Sequence, residues 1–510
     1  PEWFVVQERQ DTAIRKGARR LVHRCGLDDR SRFEGLPVVA TRFVRACPRG
    51  HVDDLDWQGF VHNDADRTCT GQLWLEERGT TGDLADLSVW CQQCGKRRSL
   101  YEATEWEKRA LGICRGSRPW LGRYSEEECN QPARLLIRTA SNAYFPQVMS
   151  VLSLPERGSV VAKAVSELWD DLQIVDSPSD LEVVKKKPAV TARLYGFDDA
   201  EVLATIQALK GAGGGEEKPV KIVELDAIVA APEGYGEDIP IDPDFHARRL
   251  PCHVWKHSSR SDNIAAVIQL HRLREVLALT GFSRYEPVVP GIDGEFQSDV
   301  EVAQIAKDLQ WFPAVENRGE GIFVLLDPDA VRLWLERPAV KERLDDLQEG
   351  YRQWVKGKSS PPPFPGGPYI LLHTLSHLLM QSVAMNCGYP ASSLRERIYV
   401  DSETQRYGLL IYTGCADAEG TLGGLVQQAR VLETHLEQAL RTAALCSNDP
   451  ICAQHQPGRS LEHRWLLGAA CHGCSLVAET SCEMRNDYLD RALVVPVVAH
   501  TAAAFFEAPP

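Results

Sequence analysis

Clustered cysteines constrain this 510-residue chain more than any other feature of its sequence. Six of its fifteen cysteines lie between residues 47 and 129, and five lie between residues 446 and 482. The sequence has no signal-peptide pattern and no apolar run of the ~20 residues that span a bilayer, so we expect a cytoplasmic protein. Thiols stay reduced in that compartment, where clusters of them indicate metal binding rather than a disulfide framework. The sequence therefore predicts two separate zinc-binding regions.

The first predicted site of the N-terminal region is centred on Cys91-Gln-Gln-Cys94-Gly95. A two-residue spacing followed by glycine lets two thiolates wrap one metal ion in a tight knuckle. Cys114 and Cys129 are predicted to supply the second pair, which gives a closed four-sulfur site with no position for substrate or water. The alternative is four unrelated buried thiols, which the specific Cys-x-x-Cys-Gly element disfavours.

A second predicted site combines two sulfurs and two imidazoles, from Cys47, His51, His62 and Cys69. A turn at Gly50 can close the step from Cys47 to His51, and both rings can ligate through a neutral nitrogen. The gaps to His62 and Cys69 match no rigid spacing rule. Zinc binding and the alternative of surface histidines with packed cysteines therefore both stay open.

The C-terminal cluster offers five thiols for four metal positions. Its knuckle is Cys471-His-Gly-Cys474, and we predict Cys452 and Cys482 as the other two ligands. Cys446 remains an alternative to Cys452, because the turn between them can present either sulfur. A structural zinc contributes on the order of 10 kcal/mol to folding, so we expect these sites to decide whether their loop-rich regions fold.

Hydrophobic patterning predicts a mixed α/β, multidomain fold of three regions. Residues 1–150 are expected to form a zinc-ribbon-like region with short strands, residues 151–250 a mainly helical region, and residues 251–510 an α/β region. Strands are predicted at residues 36–44, 84–90, 321–326 and 408–412. Helices are predicted at residues 167–174, 198–209, 264–279 and 369–386.

The charge balance argues against a chain that holds nucleic acid by itself. Acidic residues number 71 and basic residues 57, which gives a net charge of −14. Phosphate binding is built from clustered Lys and Arg and is opposed by a field of like sign. Local patches at Arg15-Lys16, Arg19-Arg20 and Lys96-Arg97-Arg98 are candidates for backbone contacts, with ordinary surface charge as the alternative for each.

The sequence carries no motif for nucleotide hydrolysis. Gly357-Lys358-Ser359 resembles the end of a Walker A loop, but Arg352 stands where that loop needs a glycine. The glycine-containing loop at residues 413–424 follows a predicted strand and leads into a predicted helix, so its free N–H groups are candidates for binding a phosphate. Close packing of strand on helix is the favoured alternative for those glycines.

One helix carries a pattern known from zinc proteases. His373 and His377 lie on one helical face, but Thr374 occupies the position at which that chemistry needs a glutamate base. We therefore predict core histidines. The alternative is a metal-dependent, nuclease-like DNA-processing enzyme that also uses Asp401 and Glu403.

Longer motifs occur along nearly the whole chain. They include Cys47-Pro-Arg-Gly-His51, Gly116-Ser-Arg-Pro-Trp120, Arg138-Thr-Ala-Ser-Asn142, Arg272-Leu-Arg-Glu-Val276, Glu316-Asn-Arg-Gly-Glu-Gly321, Glu396-Arg-Ile-Tyr399 and Thr421-Leu-Gly-Gly424. In combination these motifs resemble the DrmB family of DISARM anti-phage defence systems. The downstream motifs are also similar to the C-terminal zinc-binding domain of MrfA-type DNA repair helicases. The resemblance implies that residues 251–510 form an MrfA-type zinc-binding α/β domain.

The same resemblance implies a partner. DrmB-type proteins work beside a DrmA-type helicase that carries the ATP motor, and the pair engages foreign DNA. We therefore expect a non-catalytic accessory subunit with structural zinc that associates with such a helicase, helps to bind DNA and modulates the partner's ATPase and helicase activity. A protein-only assembly scaffold, which would bind the partner without contacting DNA, is a third possibility.

Overall fold

The computed structural model divides the chain into two compact units. The N-terminal unit comprises Pro1–Met149, Ala278–Val288 and Ser298–Pro313, and the C-terminal unit comprises Ser150–Leu277, Val289–Gln297 and Ala314–Pro510. The residues described are 1–7, 17–29, 31–62, 68–78, 82–105, 108–122, 125–154, 160–212, 218–236, 244–288, 291, 293, 301–356, 358, 361–414, 424–459 and 463–507. The mixed α/β, multidomain fold class is confirmed, while the division at residues 150 and 250 stays a prediction.

Short antiparallel strands build the N-terminal unit. They are β1 Trp3–Val6, β2 Ala18–His23, β3 Arg32–Phe33, β4 Leu36–Ala40, β5 Phe43–Ala46, β6 Val52–Asp54, β7 Leu73–Glu77, β8 Leu87–Cys91, β9 Arg97–Ser99 and β10 Arg134–Ile137, with helix α1 at Trp57–His62. Seven strands form a sheet in the order β3-β4-β1-β2-β7-β8-β9, and three form a second sheet in the order β10-β5-β6. The segments predicted as strands at 36–44 and 84–90 contain β4, the start of β5 and most of β8.

The two-residue period of β8 places a cysteine at the edge of the N-terminal core. Leu87, Val89 and Cys91 point to one face of the sheet and are fully buried. On the opposite face, Trp90 stacks on its cross-strand partner Trp74 with ring centroids 5.9 Å apart. Cys91 is therefore both the last core residue of β8 and the first cysteine of the Cys91-Gln-Gln-Cys94 segment.

Helices and a long-stranded sheet build the C-terminal unit. The strands are β11 Phe145–Leu152, β12 Phe245–Arg249, β13 Ile264–Ser283, β14 Ala314–Leu326, β15 Leu394–Asp401 and β16 Arg406–Thr413. The helices are α2 Val160–Glu167, α3 Trp169–Leu172, α4 Pro178–Val184, α5 Pro188–Arg193, α6 Asp199–Ala212, α7 Val220–Val229, α8 Cys252–Trp255, α9 Pro328–Glu336, α10 Pro338–Trp354, α11 Gly366–Cys387, α12 Gly424–Gln428 and α13 Leu432–Ala443. The sheet order is β11-β13-β14-β16-β15, and β12 pairs with β13.

Both faces of this sheet are covered. Val324 and Leu409 belong to a core cluster with the residues of α11 and α13, whereas Phe323 and Leu410 belong to a second cluster with the residues of α7. Successive residues of each central strand therefore enter different cores, so the strands are apolar on both sides.

The prediction of a helix at residues 264–279 is wrong. This segment forms most of β13, which is paired through contacts such as Ala247 opposite Leu270. Because β13 is buried on both faces, its apolar residues do not alternate with polar ones, and periodicity does not separate such a strand from a buried helix. The predicted helix at 167–174 contains the end of α2 and the single turn α3, while the one at 198–209 lies mostly in α6.

Helix α11 is the central element of the C-terminal unit and contains the predicted helix at 369–386. Its residues from Tyr369 to Met380 are all buried, as expected for a helix that is apolar on every side. The helix ends at Gly388, which adopts the left-handed conformation with φ of +73°. Within the described residues, neither α11 nor any other helix is long and apolar enough to cross a membrane.

Candidate metal centres

Centre one gathers four ligands around the β5–β6 turn: Cys47, His51, Cys114 and Cys129. Their ligand atoms all lie within 4.8 Å of one another. Cys47 follows β5 and His51 precedes β6, and the turn between them brings Cys47 Sγ to 3.2 Å from His51 Nδ1. Gly50 closes that turn with φ of +81°, which favours glycine.

A carboxylate supports the imidazole of centre one. Glu127 Oε1 lies 2.7 Å from His51 Nε2, and the Nε–H of Arg118 donates to the same nitrogen at 3.4 Å, while Nδ1 faces Cys47 Sγ. Burial acts to raise the pKa of Glu127, but the Arg118 guanidinium at 2.6 Å outweighs it and keeps the pKa below its usual value. A hydrogen bond from the Cys47 thiol lowers the pKa of Cys114 to about 5, which favours the thiolate that metals bind.

Centre two gathers His62, Cys69, Cys91 and Cys94, again with all ligand atoms within 4.8 Å of one another. His62 is the last residue of α1, and its Nδ1 donates to the Gln58 carbonyl at 2.9 Å. This leaves Nε2 as the free nitrogen, 3.4 Å from Cys94 Sγ. The sulfurs of Cys69 and Cys91 are 3.6 Å apart.

The structure brings together all eight predicted N-terminal ligands but pairs them differently from the prediction. Cys47 and His51 stay together, as do Cys91 and Cys94. Cys114 and Cys129, however, join Cys47 and His51 rather than Cys91 and Cys94. Strand pairing is the cause. Strand β10 pairs with β5 and brings the loop before it beside Cys47, while the pairing of Leu73 with Cys91 brings Cys69 to the second knuckle.

Centre three is a four-sulfur set formed by Cys446, Cys452, Cys471 and Cys474. The sulfurs of Cys446 and Cys471 are 3.4 Å apart, and those of Cys452 and Cys474 are 3.8 Å apart. A hydrogen bond from the Cys452 thiol lowers the pKa of Cys474 to about 5. Both cysteines of the preceding turn therefore belong to the centre, and no choice between them is needed.

Cys482, predicted as a ligand of this set, lies elsewhere. It belongs to a group with His373, His377 and Glu396, which we call the buried cluster. The sequence predicts core histidines here, with a metal-dependent enzyme as the alternative, and Glu396 enters only as part of the Glu396-Arg-Ile-Tyr399 motif. The four-residue spacing of the histidines was the available signal, since it places both rings on one face of α11.

The donor sets of the three centres suit zinc. Centres one and two each offer three sulfurs and one imidazole nitrogen, and centre three offers four sulfurs. These are the tetrahedral sets of structural zinc sites. Backbone N–H groups of Gly116 and Gly473 also lie 3.3 Å from the sulfurs of Cys114 and Cys471, where they stabilise thiolate charge.

Other predicted functional residues are engaged locally. Asp401 accepts hydrogen bonds at the β15–β16 turn and pairs with Arg406 at 2.7 Å. Burial acts to raise its pKa, but the bonds from Thr404 and Arg406 hold the pKa at about 2. The backbone N–H of Glu403 also donates to Asp401 at 3.2 Å. The Asp401 carboxylate therefore stabilises a turn, to which Glu403 contributes its backbone N–H.

The arginines of the predicted DNA-contact patches pair with acidic neighbours. The pairs are Arg19 with Glu77, Arg20 with Glu34, Arg97 with Glu76, and Arg98 with Glu102. Arg15-Lys16 and residues 415–423 of the glycine-rich loop lie outside the described residues. Pairing reduces the positive potential that these arginines would present to a phosphate backbone.

Comparison with known proteins relates both ends of the chain to families. Residues 1–145 match a domain of unknown function, DUF8724, and residues 375–475 match the MrfA Zn-binding domain. The chain is 32% identical over 484 residues to the DISARM protein DrmB of Bacillus paralicheniformis, an alignment that covers 91% of this chain and 82% of that protein.

Among solved structures, the crystal structure of the DUF1998 helicase MrfA bound to DNA matches 43% of this chain at 11% identity and a TM-score of 0.21. The matched part covers 23% of the helicase chain.

Proposed function

The chain belongs to the DrmB family of DISARM proteins, and from this premise we propose that it is a non-catalytic accessory subunit of an anti-phage defence complex. In this role it associates with a DrmA-type helicase, helps to hold foreign DNA, and modulates the ATPase and helicase activity of that partner. The observation that carries the proposal is the 32% identity to a DISARM DrmB protein, spread over 91% of the chain.

The metal centres support a structural role. Each of centres one to three offers four protein ligands, which complete the tetrahedral shell that zinc takes in structural sites. A catalytic zinc site keeps one position for water or substrate, and these donor sets leave none. The metal would therefore fix loops and turns in place rather than activate a nucleophile.

In this proposal the DrmA-type helicase, and not this chain, hydrolyses ATP. The sequence around Gly357-Lys358-Ser359 has Arg352 where a phosphate-binding loop needs its first glycine. An accessory subunit without a motor can still change ATP turnover, because it stabilises whichever conformation of the helicase it binds more tightly.

The electrostatics support DNA contact mainly through the complex. The net charge of −14 repels phosphate at long range, and Arg19, Arg20, Arg97 and Arg98 of the predicted patches are paired with carboxylates. We therefore expect the isolated chain to bind DNA weakly and with strong dependence on salt.

A nuclease-like centre at His373 and His377 is not favoured. Both side chains and that of Glu396 have no solvent exposure, so a DNA phosphate has no access to them. A further carboxylate of that alternative, Asp401, is held by the β15–β16 turn.

The test uses the full chain and the DrmA-type helicase of the same defence system. We expect the isolated chain to hydrolyse no ATP, to co-elute with the helicase, and to change the DNA-stimulated ATPase rate on mixing. Helicase without the chain, and helicase with heat-unfolded chain, are the controls. Absence of co-elution together with an unchanged ATPase rate would contradict the proposal.

A second assay separates this role from the enzymatic alternative. The chain is incubated with end-labelled DNA in Mg²⁺ or Mn²⁺, beside a His377→Ala variant. We expect no cutting by either protein. Reproducible cutting that the His377→Ala substitution abolishes would establish the nuclease-like enzyme instead.

A further inference from the structure

The buried cluster joins three separate segments of the C-terminal unit. His373 and His377 are one turn apart on α11, Glu396 lies on β15, and Cys482 lies in the segment that follows centre three. One ligand atom from each lies within 4.8 Å of every other. The side chains of both histidines and of Glu396 have no solvent exposure, and Cys482 is also buried.

The nitrogens, oxygen and sulfur converge more closely than ordinary packing requires. His373 Nε2 lies 2.9 Å from Glu396 Oε1 and 3.1 Å from Cys482 Sγ. His377 Nε2 lies 3.2 Å from the same Glu396 oxygen. The other carboxylate oxygen accepts a hydrogen bond from the Ser376 hydroxyl, which orients Oε1 towards the two rings.

The hydrogen-bonding roles require a positive charge among these atoms. His377 Nδ1 lies 2.8 Å from the carbonyl oxygen of Ser475, which only accepts hydrogen bonds, so Nδ1 carries the ring proton. In the neutral ring Nε2 then has a lone pair, and it faces a lone pair of Glu396 Oε1. Two acceptors attract only when a cation, a metal ion or an additional proton, lies between them.

The sulfur of Cys482 has the environment of a metal-bound thiolate. The backbone N–H of Met484, two residues on, lies 3.3 Å from it, and that of Asn486 lies 3.1 Å from it. The N–H two residues on makes the same contact at Cys446 and at Cys471 in centre three. If the Cys482 thiol loses its proton, one divalent ion balances both the thiolate and the Glu396 carboxylate.

We propose that His373, His377, Glu396 and Cys482 form a fourth metal site, which binds a divalent transition ion of the zinc class through two nitrogens, one oxygen and one sulfur. Four protein ligands close the site, so its role is structural. Binding releases the thiol proton of Cys482 to solvent. The ion fastens the segment around Cys482 to α11 and β15.

This site only partly overlaps the matched zinc-binding domain. That match covers residues 375–475 and contains all four ligands of centre three, whereas it contains His377 and Glu396 of the buried cluster but not His373 and Cys482. Sulfur-rich donors make centre three a typical structural zinc site, whereas the mixed donors of the buried cluster have only one sulfur.

The test counts metal ions in the purified full chain. Native mass spectrometry, with elemental analysis of the same sample, is expected to find four divalent ions per wild-type chain. Cys482→Ala and Glu396→Gln are each expected to lose one ion and to keep the others. Cys387→Ser, a half-buried cysteine outside all four groups, is the matched control and is expected to retain the wild-type number.

The difference between wild type and variant decides the outcome. If Cys482→Ala does not fold, Glu396→Gln keeps the shape of its side chain and gives the same measurement. An unchanged metal content in a folded Cys482→Ala or Glu396→Gln variant would overturn the proposal. A wild-type chain that saturates at three ions would overturn it too, and would leave an extra proton on His377 as the charge that faces Glu396.

Discussion

The guanidinium of Arg343 donates to the carboxylate of Asp490 at 2.6 Å, and both side chains are excluded from solvent. Arg343 lies on α10, and Asp490 lies in the C-terminal segment, where its second oxygen accepts hydrogen bonds from the N–H groups of Ala469 and Ala492 at 3.0 Å. The pair therefore joins a helix to two turns of the loop-rich region around centre three.

Asp490→Asn is expected to lower the free energy of unfolding by about 3–5 kcal/mol, because it removes the buried carboxylate that pairs with the buried charge of Arg343. Unfolding in guanidinium, followed by intrinsic fluorescence, measures the change. The control is Asp346→Asn, because Asp346 lies 3.9 Å from Arg343 but is half exposed, and we expect it to change stability by at most about 1 kcal/mol. Equal effects of the two substitutions would show that burial does not decide the strength of this pair.

Cys474→Ser is expected to remove one zinc ion per chain and to destabilise the C-terminal unit by about 4 kcal/mol or more, the range of a lost metal site. Elemental analysis and thermal unfolding of the full chain measure both effects. Cys252→Ser is the matched control, since Cys252 is exposed and outside the metal groups. A Cys474→Ser chain with unchanged zinc content and melting temperature would contradict the assignment of centre three.

Gly50→Ala is expected to weaken centre one. Its backbone φ is +81°, and an added Cβ would lie 2.4 Å from the Cβ of Ala303. Gly35→Ala is the control, because Gly35 has a similar φ of +75° but open space around it, so it should show only the left-handed strain of roughly 1–2 kcal/mol. The rate of zinc release to a chelator measures the effect on the centre, and equal rates for the two variants would exclude a role for the Ala303 contact.

His271 is expected to make stability depend on pH below neutrality. Burial, reinforced by the charge of His246, lowers the pKa of His271 to about 4, and its buried ring Nε2 has no hydrogen-bond partner among the residues that the structure describes. The unfolded chain binds this proton near pH 6.5, so stability is fully present above that pH and is lost as the pH falls towards 4. His271→Gln should flatten the dependence between these values, whereas substitution of the exposed His253 should not. A wild-type slope retained in His271→Gln would refute the assignment.

The sequence predicts most members of the three candidate centres, but not how these residues group. Knuckles such as Cys91 to Cys94 are local, and their spacing alone identifies them. Strand pairing determines which ligand pairs share a centre. Nothing within a few residues of Cys114 encodes its proximity to Cys47. The buried cluster was missed for the same reason, since its ligands Glu396 and Cys482 are 86 positions apart in sequence.

The long strand β13 shows a limit of a different kind. Its pattern was treated as helical because a strand covered on both faces has no polar side to reveal a period of two. Helix α11 was predicted correctly from a similarly apolar run, because it follows a proline-rich segment. Flanking residues carried information that periodicity lacked, whereas length did not, because β13 spans 20 residues and α11 spans 22.

The two N-terminal centres are nested along the polypeptide. All ligands of centre two lie between His51 and Cys114, which are consecutive ligands of centre one. On the ribosome, centre two can therefore close as soon as Cys94 has emerged, while centre one must wait for Cys129. Vectorial synthesis therefore exposes the complete ligand set of centre two before that of centre one.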